Sequence, residues 1–324
     1  MTNKSATHDG LCAAPDCSDC DAFLGTRYGT VSANRADIFY RECGAPDAPA
    51  ILLLHGYPSS SRMFEPLFPL LNGRFRLIAP DYPGFGMSSA PSPDQFEYSF
   101  DNLAATMLAF TDALDLREYA LYVQDYGGPI GMRLAMAQPD KVKALVVQNA
   151  VVHEEGLSPA WAKRRAFWAD RAAHEADLVA GLTSVAAGMA RHIGGRDHPQ
   201  RYDPDLWMDE IKQLQRPGQA AIQMALAYDY RRNLDSYPRW QAWLRDRQLP
   251  TLVTWGRHDP IFTVEGAWAF RRELPSAEVH ILDAGHFALN DLAMEIANCM
   301  CNFLSPVMPN GSAAERLLQG ARPS

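Results

Sequence analysis

The feature that most constrains this chain is a run of five apolar residues at 50–54 (AILLL), bounded by Pro49 and His55. A run this short, apolar on both parities, suits a strand whose two faces are both covered. The pattern recurs at 76–80 (RLIAP), 119–124 (YALYVQ), 142–149 (VKALVVQN) and 251–255 (TLVTW). An early strand is expected at 36–42 and a short last one at 279–282. Helical patterns at 102–114, 129–137 and 264–272 fall between several of these runs. Such alternation implies an α/β fold with a mostly parallel central sheet.

The stretch 153–247 breaks the alternation. It has almost no β-branched runs and many Ala, Arg, Trp, Leu and Gln residues, so it reads as several helices. The expected organisation is a core made of 23–152 and 249–305, with an inserted helical cap at 153–248 and loose ends at 1–22 and 306–324. Inserted caps shut an active site away from water.

With 47% hydrophobic and 21% charged residues, the 324-residue chain has the composition of a soluble globular protein. A net charge of −8 argues against nucleic acid as partner, because phosphate binding needs a basic surface. No apolar run approaches the roughly 18–20 residues that span a bilayer. Residues 1–10 are polar, so no secretory signal is read and cytoplasmic residence is expected. Cys12, Cys17 and Cys20, with His8 nearby, raise a metal knuckle as an alternative to a loose leader. They lack a fourth ligand at suitable spacing, and no metal is expected there. Cys299 and Cys301 are expected to pack beside Met300 and Phe303.

Three expected strand ends carry unusual residues, and sheets of this class place reactive groups at carboxyl ends. The first is Leu121-Tyr122-Val123-Gln124-Asp125-Tyr126-Gly127-Gly128. An apolar strand runs straight into an acid, two glycines and a helix pattern, which is the form of a nucleophile elbow presenting Asp125. Gly127 and Gly128 fit a turn with no room for side chains and with positive φ. Capping of the following helix is the plainer role for Asp125. The other two ends are Trp255-Gly256-Arg257-His258-Asp259-Pro260 and Leu282-Asp283-Ala284-Gly285-His286-Phe287. Nucleophile, acid and histidine then follow the chain order of the α/β-hydrolase triad.

Four segments carry a resemblance. They are Leu53-Leu54-His55-Gly56-Tyr57-Pro58, Asp81-Tyr82-Pro83-Gly84-Phe85-Gly86-Met87-Ser88, Val123-Gln124-Asp125-Tyr126-Gly127-Gly128 and Gly285-His286-Phe287. In this order they resemble the epoxide hydrolase and haloalkane dehalogenase branch of the α/β hydrolases. The resemblance covers most of the chain outside the cap and the two ends. Members of that branch use an elbow Asp where esterases use Ser, and no Gly-x-Ser-x-Gly occurs in this sequence.

The resemblance implies attack by the ionised Asp125 on a saturated carbon, giving an alkyl–enzyme ester. His286, oriented by Asp259, would deprotonate the water that hydrolyses it. The backbone N–H groups of Tyr57 and Tyr126 are nominated for the oxyanion. Pro58 would hold the first loop in position. Some dehalogenases carry the acid after the strand that here ends at Asn149, which is no carboxylate; Glu154 and Glu155 follow closely, but Asp259 is preferred.

An epoxide oxygen must be protonated as the ring opens, and epoxide hydrolases do this with cap tyrosines. Tyr230, in Tyr228-Asp229-Tyr230-Arg231-Arg232-Asn233, matches that segment, with Tyr202 a weaker partner. Dehalogenases hold halide with indole N–H groups, one usually from a Trp after the nucleophile, where this chain has Tyr126. The cap still offers Trp161, Trp168, Trp207, Trp240 and Trp243. Epoxide hydrolysis is preferred, with haloalkane dehalogenation as the alternative and a non-catalytic ligand-binding scaffold as a third reading. A small-molecule substrate is expected and no cofactor. There is no Walker loop, and Gly84-Phe85-Gly86 lacks the third glycine and the strand–helix context of a dinucleotide fingerprint. The oligomeric state stays open.

Overall fold

The computed structural model describes residues 25–194, 196 and 199–309. The Cys12, Cys17 and Cys20 cluster, the expected leader and most of the expected tail lie outside the described residues. Eight strands form one sheet: β1 (Arg27–Ala33), β2 (Ala36–Cys43), β3 (Ala50–Leu54), β4 (Arg76–Pro80), β5 (Tyr119–Gln124), β6 (Val142–Gln148), β7 (Thr251–Gly256) and β8 (Glu278–Leu282). Their order is β1-β2-β4-β3-β5-β6-β7-β8. β2 pairs antiparallel with β1 and with β4, and every other pairing is parallel.

The helices in chain order are α1 (Phe68–Leu71), α2 (Phe100–Ala113), α3 (Gly127–Ala137), α4 (Trp161–Ala169), α5 (Arg171–Thr183) and α6 (Val185–Ile193). They continue with α7 (Asp205–Leu214), α8 (Gln219–Asp229), α9 (Arg231–Arg247), α10 (Val264–Glu273) and α11 (Leu289–Val307).

The apolar runs became central strands because both parities find cover. Leu52, Leu54, Leu121, Val123, Leu145 and Val147 face α2, α3 and α10, through residues such as Phe100, Leu134 and Phe270. The alternate set, Ile51, Leu53, Ala120, Tyr122, Ala144 and Val146, faces α1, the turn before it and α11, with Phe64, Phe68, Ile296 and Met300. Each fully buried aliphatic side chain contributes about 1.5–3 kcal/mol, and truncating one to Ala costs about 2–5 kcal/mol. Cys299 and Cys301 pack against this second layer.

Some bounds differ from the sequence reading. β1 was not expected. Its burial alternates between half-exposed and exposed, as befits an edge strand paired on one side only. β6 stops at Gln148 because Asn149 takes φ 42°, leaving the extended region. The chain remains helical past 306, since α11 runs to Val307 with Pro306 in its last turn.

Between β6 and β7 the described chain forms the helices α4 to α9 and no strand. They meet the carboxyl ends of the strands. Tyr57 donates its hydroxyl to the Leu182 carbonyl at 3.4 Å, and Trp161 donates its indole N–H to the Ile261 carbonyl at 3.0 Å. Among the described residues no helix is long and apolar enough to cross a membrane.

Candidate active site

β5 ends at Gln124, and the chain turns directly into α3. Asp125 occupies the turn with φ 47°, a left-handed conformation that costs a non-glycine residue about 1 kcal/mol or more. The positive φ therefore falls on Asp125 itself and not on Gly127 or Gly128, as the sequence reading had it. The glycines answer to space: a Cβ on Gly127 would lie 2.2 Å from the Leu54 carbonyl oxygen. The Gly128 N–H closes the turn on the Asp125 carbonyl at 2.9 Å, and the Asp125 N–H reaches the Asn149 carbonyl at 3.2 Å.

The Asp125 side chain is buried and its Oδ1 accepts the Tyr57 N–H at 2.8 Å. The Tyr126 N–H also bonds this carboxyl. Burial pushes the Asp125 pKa up from its ordinary value, while His286, both backbone donors and the more distant Arg164 hold it back. The two N–H groups nominated for an oxyanion thus both bond the Asp125 carboxyl. The Tyr57–Pro58 peptide bond is cis.

His286 follows β8 and places Nε2 3.9 Å from Asp125 Oδ2. Its Nδ1 lies 2.7 Å from Asp259 Oδ2. Asp259 is fixed from three sides. Oδ2 takes that proton and the Asn149 Nδ2 amide at 2.8 Å, while Oδ1 accepts the Ile261 N–H at 2.7 Å. Asn149 itself is locked by the Gly256 N–H, which donates to its Oδ1 at 2.9 Å. Burial pulls the His286 pKa down, but the Asp259 carboxylate and its hydrogen bond, with Asp125 behind them, leave it raised above 6.5. Glu154 and Glu155 turn outward to Arg165 and Arg272 and take no part.

Gln124, the residue before Asp125, also reaches the site. Its amide Nε2 stands 2.9 Å from His286 Nε2, and its Oε1 is buried without a partner among the described residues. With the imidazole proton held on Nδ1 by Asp259, the Nε2 lone pair is free to accept from this amide. Gln148 supports the same loop, donating Nε2 to the His286 carbonyl at 3.2 Å. A polar residue closing an otherwise apolar strand is the signal that could have found Gln124, Gln148 and Asn149.

Aromatic rings cluster around Tyr126, the residue after Asp125. The Tyr126 ring lies 5.6 Å from Tyr57, 4.9 Å from Phe100 and 5.8 Å from Tyr230. Tyr230 stands at the corner between α8 and α9, and Trp161 packs on it at 4.8 Å. Asp229 anchors the corner by accepting the Phe100 N–H at 2.8 Å. The Tyr230 and Tyr237 hydroxyls interact, and neither makes a hydrogen bond of ordinary geometry among the described residues. Burial raises both phenol pKa values far above physiological pH, so both hydroxyls stay protonated. Sequence reading missed Tyr237, which lies two turns along α9 from Tyr230 on the same side.

The weaker partner, Tyr202, is elsewhere: its hydroxyl donates to Asp291 at 3.3 Å. Two tryptophans of α4 have their N–H groups engaged, Trp161 on the Ile261 carbonyl and Trp168 on the Ala227 carbonyl at 2.8 Å. Asp81, in the second quoted motif, is also structural. It accepts the Ser61 and Met87 N–H groups, each at 2.7 Å.

Residues 49–291 match the alpha/beta hydrolase fold family. An uncharacterized hydrolase of Saccharomyces cerevisiae is 39% identical over 264 residues, covering 80% of this chain and 90% of that protein. Haloalkane dehalogenase 2 of Mycobacterium bovis is 40% identical over 117 residues, which span 36% of this chain and 40% of that protein. Among solved structures, haloalkane dehalogenase DbeA from Bradyrhizobium elkani has a TM-score of 0.70 at 21% identity, covering 87% of this chain and 99% of that one. Epoxide hydrolase CorEH has a TM-score of 0.71 at 17% identity, covering 87% of this chain and 100% of that one. At such identities the structural likeness is one of fold. The family match over most of the chain and the long yeast relative make this protein an alpha/beta hydrolase.

Proposed function

We propose that the protein hydrolyses a small-molecule epoxide to a vicinal diol through an ester on Asp125. The observation that carries the reading is the pair of buried, protonated hydroxyls of Tyr230 and Tyr237 beside the aromatic cluster around Tyr126, the residue after Asp125. Residues 153–248 act as the cap that holds these hydroxyls over the nucleophile, and the substrate is met in the cytoplasm.

In the first step an Asp125 carboxylate oxygen attacks a ring carbon, and the C–O bond of the epoxide breaks. The leaving oxygen takes a proton from Tyr230 or Tyr237. In the second, His286 Nε2 removes a proton from water, whose oxygen adds to the carboxyl carbon of the ester. The Tyr57 and Tyr126 N–H groups receive the oxyanion; its collapse expels the alkoxide, which takes the proton from the His286 imidazolium and leaves as diol, while the regenerated Asp125 carboxyl gives up its proton to solvent. Asp259 keeps the proton on Nδ1 and stabilises the imidazolium that forms; the Nε2 lone pair, held by the Gln124 amide at rest, passes to water for this step. The tyrosine regains its proton before the next turnover.

Cleavage of a carbon–halogen bond is a second reading, favoured by the 40% identity to a haloalkane dehalogenase. It needs weak N–H donors facing the leaving atom, and the indoles of Trp161 and Trp168 are engaged with carbonyls. A non-catalytic scaffold would have little use for the two donors, the Asn149 amide and the Ile261 N–H, that hold Asp259 against His286.

Epibromohydrin carries both leaving groups and separates the readings. Wild type run beside Asp125→Ala should give bromodiol without bromide, and the variant neither product. Early bromide together with glycidol would overturn the epoxide reading in favour of dehalogenation.

A further inference from the structure

The cap encloses two arginines that the ester chemistry does not use as reactants. Arg164 on α4 is 8% exposed and Arg191 on α6 is 5% exposed. Buried guanidinium groups ordinarily sit in bidentate pairs with carboxylates. Neither does here. Arg164 makes no hydrogen bond or ion pair among the described residues, and its guanidinium lies 4.6 Å over the Trp161 ring. Arg191 spends Nη1 on the Leu182 carbonyl at 3.2 Å, and its Nε and Nη2 are buried without hydrogen-bond partners among the described residues. Its nearest acid is Glu210, at 3.9 Å from Nη2, and that acid also has His192 Nε2 at 3.1 Å.

Both arginines line one cavity of about 760 Å³, together with Leu178, Leu182, Pro260 and Ile261. Its rim carries the exposed side chains of Lys163, His174 and Asp177. The cavity abuts the candidate site. Pro260 and Ile261 directly follow Asp259. The Leu182 carbonyl that accepts from Arg191 also accepts the Tyr57 hydroxyl, and the Arg191 guanidinium lies 5.5 Å from the Tyr57 ring centre. Trp161, under Arg164, packs on Tyr230.

We infer that Arg164 and Arg191 bind a carboxylate on the substrate, separated by a short apolar chain from the carbon that Asp125 attacks. A carboxylate would fill the open donors with charge-assisted hydrogen bonds, and the aliphatic lining would cover the methylene chain. Two guanidiniums also offset the repulsion between an anionic substrate and the carboxylates of Asp125 and Asp259. A neutral substrate would leave the buried Nε and Nη2 donors of Arg191 unmet, an arrangement that costs stability. The inference rests on the reading of Asp125 as nucleophile and assigns its substrate class.

Hexanoate and hexanamide have the same length and cannot be turned over, so calorimetry with wild type tests the site without catalysis. Hexanoate is expected to bind at least about tenfold more tightly than hexanamide, the factor that one hydrogen bond to a charged group supplies. The preference should weaken as salt is raised. It should collapse toward unity in Arg164→Gln and Arg191→Gln, and survive in part in Arg191→Lys, whose circular dichroism and melting guard against misfolding. Equal binding of acid and amide by wild type would overturn the inference. Tighter binding of hexyl phosphate than of hexanoate would overturn the assignment to carboxylates. With 5,6-epoxyhexanoate and its amide, preference for the acid in kcat/KM supports both readings. Hexanoate binding with no epoxide turned over would keep the carboxylate site and remove the epoxide. Epoxide turnover with no preference for the acid would do the reverse.

Discussion

Asn149 donates Nδ2 to the Asp259 carboxylate at 2.8 Å and receives the Gly256 N–H on Oδ1 at 2.9 Å, so the end of β6 sets the position of the acid that follows β7. Removing this amide in Asn149→Ala leaves Asp259 with two donors instead of three and forces Ala into a position with φ 42°. A hydrogen bond to a charged group is worth about 1.5–3 kcal/mol. Ester hydrolysis, which needs an oriented His286, should slow by about tenfold or more in single-turnover measurements, with ester formation less affected. Equal slowing of both steps would remove Asn149 from this role.

In the proposed reaction the tyrosine pair serves the other half. Tyr230→Phe and Tyr237→Phe should each slow ester formation, and the double variant should lose about a hundredfold or more, the lower range of general-acid contributions. Hydrolysis of the preformed ester should keep its rate. Rapid-quench kinetics with mass detection reads the two steps separately, and a double variant with unchanged ester formation would contradict the assignment.

Gln124 should tune the imidazole. Its amide donates to His286 Nε2 at 2.9 Å, a bond that only the neutral ring can accept and that therefore favours the neutral form. In Gln124→Leu that support is gone, so the His286 pKa, already raised above 6.5, should rise further. Ester hydrolysis requires the neutral base, so its rate climbs as pH increases through this pKa. The rise should shift to higher pH by about half to one unit, the equivalent of one ordinary hydrogen bond. A pH profile that stays in place, or moves to lower pH, would show that Gln124 does not hold the base.

His55 predicts how the fold responds to acid. Burial lowers its pKa from 6.5 to about 4, and its Nε2 accepts the Tyr82 N–H at 3.3 Å, which a protonated ring cannot do. The unfolded chain takes up the proton near 6.5 and the folded chain only near 4, so stability is whole above the first value and is lost as pH falls toward the second. The loss from this group reaches about 3 kcal/mol. Urea unfolding at pH 7.5, 5.5 and 4.5 should show it. His55→Leu should be less stable at pH 7.5, with Tyr82 N–H orphaned, but should fall less steeply; an equal slope would remove His55 as the cause.

The parallel core was legible because burial on both faces leaves an unmistakable local mark: AILLL at β3 and YALYVQ at β5 admit no polar parity. β1 escaped because an edge strand buries little, and its run RYGTVSA carries glycine and serine where a central strand would be apolar. Asp125, Asp259 and His286 could be placed from their strand ends and their order. The conformation of the elbow could not, since Asp125 takes the positive φ that sequence habit assigns to glycine. Tyr237, Arg164 and Arg191 were silent for another reason. A helical pattern tells which face is apolar but not which surface the face will meet, and these residues gain their meaning only from where α4, α6 and α9 come to rest.

The central claim is that Asp125 becomes an ester that His286 is needed to hydrolyse. His286→Ala, incubated with epibromohydrin and with 5,6-epoxyhexanoate, tests it by intact mass and peptide mapping. The account predicts a mass increase equal to the whole epoxide, located on the peptide containing Asp125 and absent from the double variant that also carries Asp125→Ala. An unmodified His286→Ala protein, under conditions where wild type forms diol, would contradict it.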